Sequence, residues 1–178
     1  METTNFKVNS AQSEINWIGR KVTGAHNGTI AIKAGELKLN NNKLTGGKFT
    51  IDTTAIIILD VTDEGTNAQF AGHLASDDFF SSEKYPEAFF VITAVTTRDN
   101  GDYDITGDLT IKDITNEVSF EAKVNLDNNK LTAKGKIVVD RTKYNMKFRS
   151  GNFFQNLGDT LIYNDFDLSI DIAAELAA

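Results

Sequence analysis

The feature that most constrains this chain is a period-two alternation of apolar and polar residues, which recurs along its whole length. Between Tyr103 and Lys112, an apolar residue or glycine takes every second position, with Asp, Thr or Lys between. Because successive side chains of a strand point to opposite faces, this alternation predicts strands with one buried and one solvated face. The same reasoning predicts strands around residues 14–17, 28–32, 37–39, 49–51, 88–97, 117–126, 131–139 and 165–172.

Short connections rich in Asn, Asp and Gly separate these segments. They lie at residues 40–42, 100–101 and 127–129, and such residues tolerate the positive φ angles of tight hairpin turns. A meander of about eight strands would expose two edges unless it closed on itself. We therefore predict an all-β fold, an eight-stranded antiparallel barrel. A length of 178 residues fits one domain, with a core from about residue 6 to residue 173.

Three local features modify this pattern. The parity of apolar positions changes across Ala34 and Gly35, which predicts a bulge. Residues 66–69 have the spacing of a capping box, and Phe70 and Leu74 lie four apart, so a short helix is predicted over residues 66–76. In the segment 88–97, Phe90, Ile92 and Ala94 occupy every second position, so they are predicted to share one face of an unbroken strand.

Two pairs of phenylalanines fall in irregular segments, Phe79-Phe80 and Phe153-Phe154. Large apolar side chains in connections need burial, and the surface on offer is an end of the barrel. Two interpretations stay open, and they are compatible: the pairs pin the connections onto the core, or they form a rim over an apolar cavity.

Charge and composition limit the classes of partner. The chain carries 18 basic and 25 acidic residues, a formal charge of −7, which repels phosphate backbones and anionic lipid headgroups, so no nucleic acid partner is expected. Without cysteine, disulfides and thiolate chemistry are excluded. No apolar run suits a transmembrane segment. The first residues are neither basic nor apolar, which leaves two interpretations: a cytoplasmic protein, or a periplasmic one whose signal peptide was removed.

Candidate catalytic and metal-binding groups are few. The only histidines are His26 and His73, and their spacing matches no metal-ligand pattern. The acidic clusters at residues 60–64 and 77–78 do not fit a calcium loop. Both histidines are therefore expected to make structural hydrogen bonds. The sequence predicts no catalytic residues, no metal site, no cofactor and no enzymatic activity.

Several motifs, taken in order, resemble the YceI-like family of lipocalin-like, polyisoprenoid-binding proteins. They span residues 26–30 (His-Asn-Gly-Thr-Ile), 73–80 (His-Leu-Ala-Ser-Asp-Asp-Phe-Phe), 85–86 with Phe90, 107–112 with 114–115, and 140–144 (Asp-Arg-Thr-Lys-Tyr). Together they cover the chain from about Phe6 to Ile172. Asp113 stands where a glycine is common in the family, and Asn145-Met146 replaces a frequent Gly-Ile. These departures are expected to affect turn geometry and leave the barrel intact.

The resemblance implies an extended eight-stranded barrel with a tunnel for an isoprenoid chain, such as the tail of a polyprenyl quinone, and a protein that sequesters or carries it. Strand parity then predicts which side chains bind the ligand. They are Ile15, Trp17, Phe49, Ile51, Phe90, Ile92, Leu109, Ile111, Phe120, Val124, Ile137, Phe166, Leu168 and Ile170, with Phe79 and Phe80 near one end. A Gly107→Trp change is expected to block the cavity and leave the fold intact.

Two other functions remain open at this stage. In the first, the barrel interior is a packed core, and the protein is a non-catalytic interaction module that acts through its acidic surface or a homodimer contact. In the second, the protein is a hydrolase or isomerase that uses His26 or His73 on a bound apolar substrate.

Overall fold

The structure, a computed structural model, describes residues 3–98, 102–151 and 161–177. Within them, nine strands form a single antiparallel sheet. In chain order the strands are β1 (Thr3–Val8), β2 (Glu14–Lys21), β3 (Gly24–Asn40), β4 (Lys43–Ile58), β5 (Glu87–Thr97), β6 (Asp102–Ile111), β7 (Ile114–Asp127), β8 (Lys130–Asp140) and β9 (Ile162–Leu176).

The nine strands occupy eight positions of a closed barrel. Strands β1 and β2 follow each other along one position, separated by a short 3-10 turn at Ser10–Gln12. Strand β2 lies between the first half of β3 and β9, and β1 lies between the second half of β3 and the end of β9. The remaining strands pair with their neighbours in chain order. The predicted eight-stranded antiparallel barrel is confirmed.

The two ends of the barrel differ. The turns β3–β4 and β7–β8 lie at the end that we call lower, together with the described ends of the chain. At the upper end lie the turns β2–β3 and β6–β7, the long connection between β8 and β9, and a helix, α1 (Glu64–Ala75), between β4 and β5.

Helix α1 begins earlier than predicted. The carboxylate of Asp63 accepts hydrogen bonds from the backbone N–H and the hydroxyl of Thr66, so Asp63 is the N-cap. The prediction that Thr66 opens a capping box was wrong, because Asp63 stands three residues earlier and satisfies the first free N–H groups of the helix. The helix packs on the barrel through residues that include Phe70 and Leu74, as their spacing indicated.

Irregularities in strand pairing agree with the sequence in one place and correct it in another. Register shifts between Ile32 and Ala34 in β3, immediately before the bulge predicted across Ala34 and Gly35. A second shift falls between Ile92 and Ala94 in β5, which turns Ala94 outward and pairs Val95 with the buried Ile105. The prediction that Ala94 shares a face with Ile92 was wrong, because the extra residue in β5 inverts the parity beyond it.

The lower half of the barrel is a packed core. Side chains from seven of the eight strand positions meet there with little exposure, and they are Phe6, Val8, Leu37, Leu39, Leu44, Tyr103, Ile105, Ala122, Val124, Leu131, Ala133, Ile172 and Ala174. Their strands alternate between these inward residues and exposed polar ones. These side chains pack against one another in one buried cluster.

Three phenylalanine rings cross the barrel above this core, and each lies over a glycine. The ring centroids of Phe49 and Phe90 are 6.3 Å apart, and those of Phe90 and Phe120 are 5.8 Å apart. A Cβ added at Gly35, Gly107 or Gly135 would approach the rings of Phe49, Phe90 and Phe120, respectively, to 2.8, 2.5 and 3.4 Å. The absent side chains therefore make space for this aromatic floor.

This geometry corrects the expectation for Gly107→Trp. A Cβ at Gly107 would lie 2.5 Å from Cζ of Phe90 and 2.6 Å from the carbonyl oxygen of Val91. A tryptophan there would collide with the floor and the backbone of β5, so it would damage the fold instead of blocking a cavity.

Even the smallest change at this position should be costly. We expect Gly107→Ala to lower the free energy of unfolding by about 1–3 kcal/mol, because the new methyl group overpacks the floor. Urea denaturation measures this difference. Gly46→Ala is the matched control, since a Cβ at Gly46 meets nothing within 4 Å. Equal stabilities for the two variants would contradict the packing described for the floor.

Candidate functional site

A cavity of about 730 Å³ occupies the upper half of the barrel. The aromatic floor lies below it, strands form its walls, and helix α1 and the described part of the β8–β9 connection lie over it. Most of its lining is aliphatic or aromatic, and polar side chains gather toward its opening. The volume of this cavity falls within the range of about 300–1,000 Å³ that is usual for small-molecule sites, and its apolar lining is also typical of them.

All fourteen strand residues predicted to bind a ligand lie on the inner face of the barrel, by their register with buried partners. Nine of the sixteen predicted residues line the cavity: Ile15, Trp17, Ile51, Phe79, Phe80, Leu109, Ile111, Phe166 and Leu168. The other seven lie on the inner face outside the cavity lining: Phe49, Phe90, Ile92, Phe120, Val124, Ile137 and Ile170. The pair Phe153-Phe154 falls outside the described residues.

Trp17 places an aromatic wall between the barrel and the helix. Its indole N–H donates a hydrogen bond to the carbonyl oxygen of Thr29, at 3.2 Å, and its ring meets the ring of Phe70 edge-on at 6.4 Å. Gly28 makes this position possible, because a Cβ there would lie 1.8 Å from the carbonyl oxygen of Ile57 and 2.6 Å from the indole ring. The cavity thus has a fixed wall where β2, β3 and α1 meet.

Both histidines line the cavity, and each is hydrogen-bonded to an aspartate from a segment that flanks α1. Nδ1 of His26 lies 2.8 Å from Oδ2 of Asp60, and Nε2 of His73 lies 2.9 Å from Oδ2 of Asp78. The His26 ring also meets Phe70, with centroids 4.8 Å apart. These contacts tie the segment before the helix to β3 and the segment after it to the helix itself.

The ring of His73 joins three elements above the cavity. It stands edge-on to Phe79, with centroids 5.0 Å apart, and to Phe148, at 4.6 Å. Phe79 follows the helix, and Phe148 belongs to the β8–β9 connection. Phe79 therefore helps to pin a connection and lines the cavity at the same time, as the two interpretations of the phenylalanine pairs allowed.

Asp60 makes the first of these pairs sensitive to acid. Burial raises the pKa of Asp60, but the hydrogen bonds from the Asn27 backbone N–H and from His26 outweigh it, so the pKa lies below the usual 3.8. A carboxyl whose pKa is lowered by folding stabilises the fold above the unfolded-state pKa. That contribution disappears as the pH falls through the folded-state pKa.

We expect Asp60→Asn to lower the free energy of unfolding by at most about 1 kcal/mol at neutral pH, because the pair is partly solvated. The gap between variant and wild type should close below about pH 4. Urea denaturation at about pH 7 and about pH 3 tests this. A gap of equal size at both pH values would rule out a contribution from the Asp60 charge.

A buried cation, Arg141, organises the upper end of the barrel. Its guanidinium donates hydrogen bonds to the carbonyl oxygens of Met146 (2.6 Å), Tyr163 (3.0 Å) and Ile162 (3.0 Å). It is 3% exposed, lines the cavity and lies 5.8 Å from the centre of the Phe79 ring. Burial lowers the pKa of Arg141 to about 10, so the side chain stays charged at neutral pH.

A second cation, Lys112, joins two connections at the upper end of the barrel. Its Nζ donates to the carbonyl oxygens of Asp77 (2.8 Å) and Asn145 (3.1 Å), and burial lowers its pKa. Lys112 and Asp113 form the β6–β7 turn with φ angles of 54° and 65°, and Asn145 has a φ of 61°. Asp113 and Asn145, the departures from the family pattern, thus adopt the left-handed conformation that glycine would favour.

The described residues contain no group of three or more His, Asp or Glu that could hold a metal ion. Neither imidazole in this part of the chain is hydrogen-bonded to a serine or threonine hydroxyl. No described helix has the length and apolar character required to cross a bilayer.

Sequence reasoning missed several lining residues. Those on α1 and the preceding segment are Val61, Thr66, Gln69, Phe70, His73 and Leu74, and those after β8 are Arg141, Met146, Phe148 and Arg149. The four-residue spacing of Phe70 and Leu74 carried a signal for the first group. The second group lies in an irregular connection, where no periodicity indicates which side chains turn inward.

Comparisons with known proteins agree with this geometry. The model of the YceI-like domain matches residues 6–174. A protein named YceI from Escherichia coli is 41% identical over 75 residues, which cover 42% of this chain and 35% of that protein. The chain therefore matches about a third of the length of that curated relative.

Two solved structures show the same fold. BcnA of Burkholderia cenocepacia has a TM-score of 0.74 and 20% identity, over 93% of this chain and 98% of the other. A polyisoprenoid-binding domain from Saccharophagus degradans, implicated in plant cell wall breakdown, has a TM-score of 0.67 and 10% identity, over 99% of this chain and 100% of the other. At these identities the likeness establishes the architecture of the barrel.

Proposed function

The chain belongs to the YceI-like family, and we propose that it binds one apolar, chain-like lipid in the upper cavity, which it sequesters or carries. The ligand class that we favour is an isoprenoid such as a polyprenyl quinone. The observation that carries this proposal is the cavity of about 730 Å³ with an apolar wall and a polar opening. The polyisoprenoid-binding domain with the same fold supports the choice of ligand.

The half-exposed state of several inward residues supports a site that is open to ligand. Trp17, Ile51, Phe166 and Leu168 lie on the inner face, yet none of them is fully buried. A ligand that covers this apolar surface removes it from water, and this burial contributes favourable free energy to binding. Each methylene buried there contributes about 0.8 kcal/mol, so ten would supply about 8 kcal/mol before entropic costs.

The two rival functions account less well for this interior. A fully packed barrel would serve an interaction module, but only the lower half is packed. Nucleophilic catalysis at His26 or His73 would need a serine or threonine hydroxyl beside the imidazole, and none is hydrogen-bonded to either ring in the described residues. Each imidazole is instead bound to an aspartate that holds a segment next to α1. We therefore propose a binding protein without catalysis.

Trp17 offers a direct test, because it is the only tryptophan of the chain and lines the cavity. We expect a short-chain prenyl quinone to quench its fluorescence in a saturable way, at one quinone per protein. The free quinone headgroup without a prenyl tail is the control, and it should quench only weakly and without saturation. Identical quenching by both compounds would contradict a site for an apolar chain.

A further inference from the structure

An exposed surface of mixed apolar and basic character lies beside the cavity opening. It consists of the exposed residues Lys21, Val22, Arg149 and Tyr163 with the half-buried Leu161, and we call it the mouth patch. Val22 N–H donates to the carbonyl oxygen of Leu161 at 3.2 Å, and Lys21 pairs with Ile162 across β2 and β9. Ile162 N–H in turn donates to the carbonyl oxygen of Arg149 at 2.9 Å. The five residues are thus contiguous, although they come from three separate parts of the chain.

Two members of the mouth patch expose large apolar side chains to solvent. Val22 stands at the tip of the β2–β3 hairpin and is 46% exposed, and Tyr163 at the start of β9 is 47% exposed. Hairpin tips ordinarily carry Gly, Asn, Asp or Ser. Apolar side chains that gather on an exposed surface with polar neighbours indicate an interaction site.

The opening presents exposed cations although the chain as a whole is acidic. The lining includes Arg20, Lys21, Arg141 and Arg149, and one carboxylate, Asp165. The carboxylates of Asp60, Asp78 and Asp167 lie within 2.9 Å of the lining residues His26, His73 and Arg20. The chain as a whole carries −7. Arg20 is paired with Asp167 outside the lining, whereas Lys21 and Arg149 have no carboxylate within ion-pair distance in the described residues.

We propose that the mouth patch docks onto the surface of a bilayer that contains anionic phospholipids, with the cavity opening turned toward the membrane. This rests on the proposed function, since a lipid carrier must exchange its cargo with a membrane. Cations near an anionic leaflet and an aromatic or aliphatic side chain at the headgroup level are the two elements of such a surface.

Docking onto an anionic bilayer departs from the sequence-based expectation that the chain repels anionic headgroups. That expectation follows from the total charge, which governs the interaction at long range. At contact, charges beyond about 10 Å are screened at moderate ionic strength, so the local cations of the mouth patch decide the outcome.

Co-sedimentation with vesicles tests this docking surface. We expect the wild-type protein to sediment with vesicles of phosphatidylcholine and phosphatidylglycerol, and much less with phosphatidylcholine alone. Val22→Glu should lower the partition coefficient at least about tenfold, and Lys21→Glu at least about fivefold. Val138→Glu is the matched control, because Val138 is an exposed valine, at 61%, on the outer wall of β8. It should change the partition coefficient by less than about twofold.

Three results would overturn the proposal. One is a wild-type protein that sediments with neither vesicle, and another is an equal loss for Val22→Glu and Val138→Glu. The third is wild-type protein that is dimeric without vesicles and becomes monomeric with Val22→Glu, because a second copy would then occupy the patch. Binding of geranylgeraniol in solution, measured on the same wild-type and Val22→Glu proteins, tests the proposed function separately. Val22 lies outside the cavity lining, so both should bind equally.

Discussion

Ala88→Trp should abolish most of the affinity for an apolar chain and leave the barrel folded. Ala88 is 4% exposed, lies on β5 opposite Ile51, and lines the cavity above the aromatic floor. An indole there would take the volume of roughly four or five methylene groups of the ligand, at about 0.8 kcal/mol each. The expected loss is therefore about 3–4 kcal/mol, or a few hundredfold in Kd.

Equilibrium binding of tritiated geranylgeraniol measures this loss. Ala94→Trp is the control on the same strand, because Ala94 is exposed beyond the irregularity in β5. It should bind as the wild type does. If Ala88→Trp folds and retains wild-type affinity, the ligand lies elsewhere and the cavity is not the site.

Arg141→Met should destabilise the fold far more than Arg20→Met does. The change removes three hydrogen bonds to backbone carbonyls and leaves those acceptors in a largely buried setting. We expect the free energy of unfolding to fall by about 3–5 kcal/mol, and Tm by about 10 °C, because buried acceptors without a donor are costly.

Urea and thermal denaturation test this expectation. Arg20→Met is the matched control, because Arg20 is partly exposed and its ion pair with Asp167, at 2.8 Å, is solvated. It should cost less than about 1 kcal/mol. If both variants lost the same stability, Arg141 would not be the organising group that its contacts indicate.

Strand parity predicted the direction of side chains well, because alternation reports directly on which face of a sheet is buried. The predicted ligand-binding residues of β6, β7, β8 and β9 all lie on the inner face, as parity requires. Parity failed in β5, where no glycine or proline between Ile92 and Ala94 announces the extra residue. A bulge of this kind arises from barrel curvature, which a single strand does not encode.

Parity says nothing about depth along the barrel. Phe90 and Leu109 are paired across β5 and β6, yet Phe90 belongs to the floor and Leu109 to the cavity. The difference comes from Gly107, whose missing side chain lets the Phe90 ring lie across the interior. Such a contact depends on which glycine faces which ring in three dimensions, so the sequence did not reveal where packing ends and the cavity begins.

The sequence pattern also did not predict which charged side chains come together at the opening. Lys21 and Arg149 are far apart in the chain and meet only because β2 and β9 close the barrel. Arg141 stood in a motif of the family, but its three carbonyl partners come from a connection and a strand without a distinctive pattern. The geometry shows that Arg141 joins this connection to the start of β9.

The central claim is that the upper cavity holds one apolar chain, and native mass spectrometry of the purified protein, followed by organic extraction, tests it most directly. We predict one lipid per protein, identified in the extract as an isoprenoid or another long-chain apolar molecule, and its absence from Ala88→Trp. An empty wild-type protein that also takes up no added polyprenyl quinone would contradict the claim.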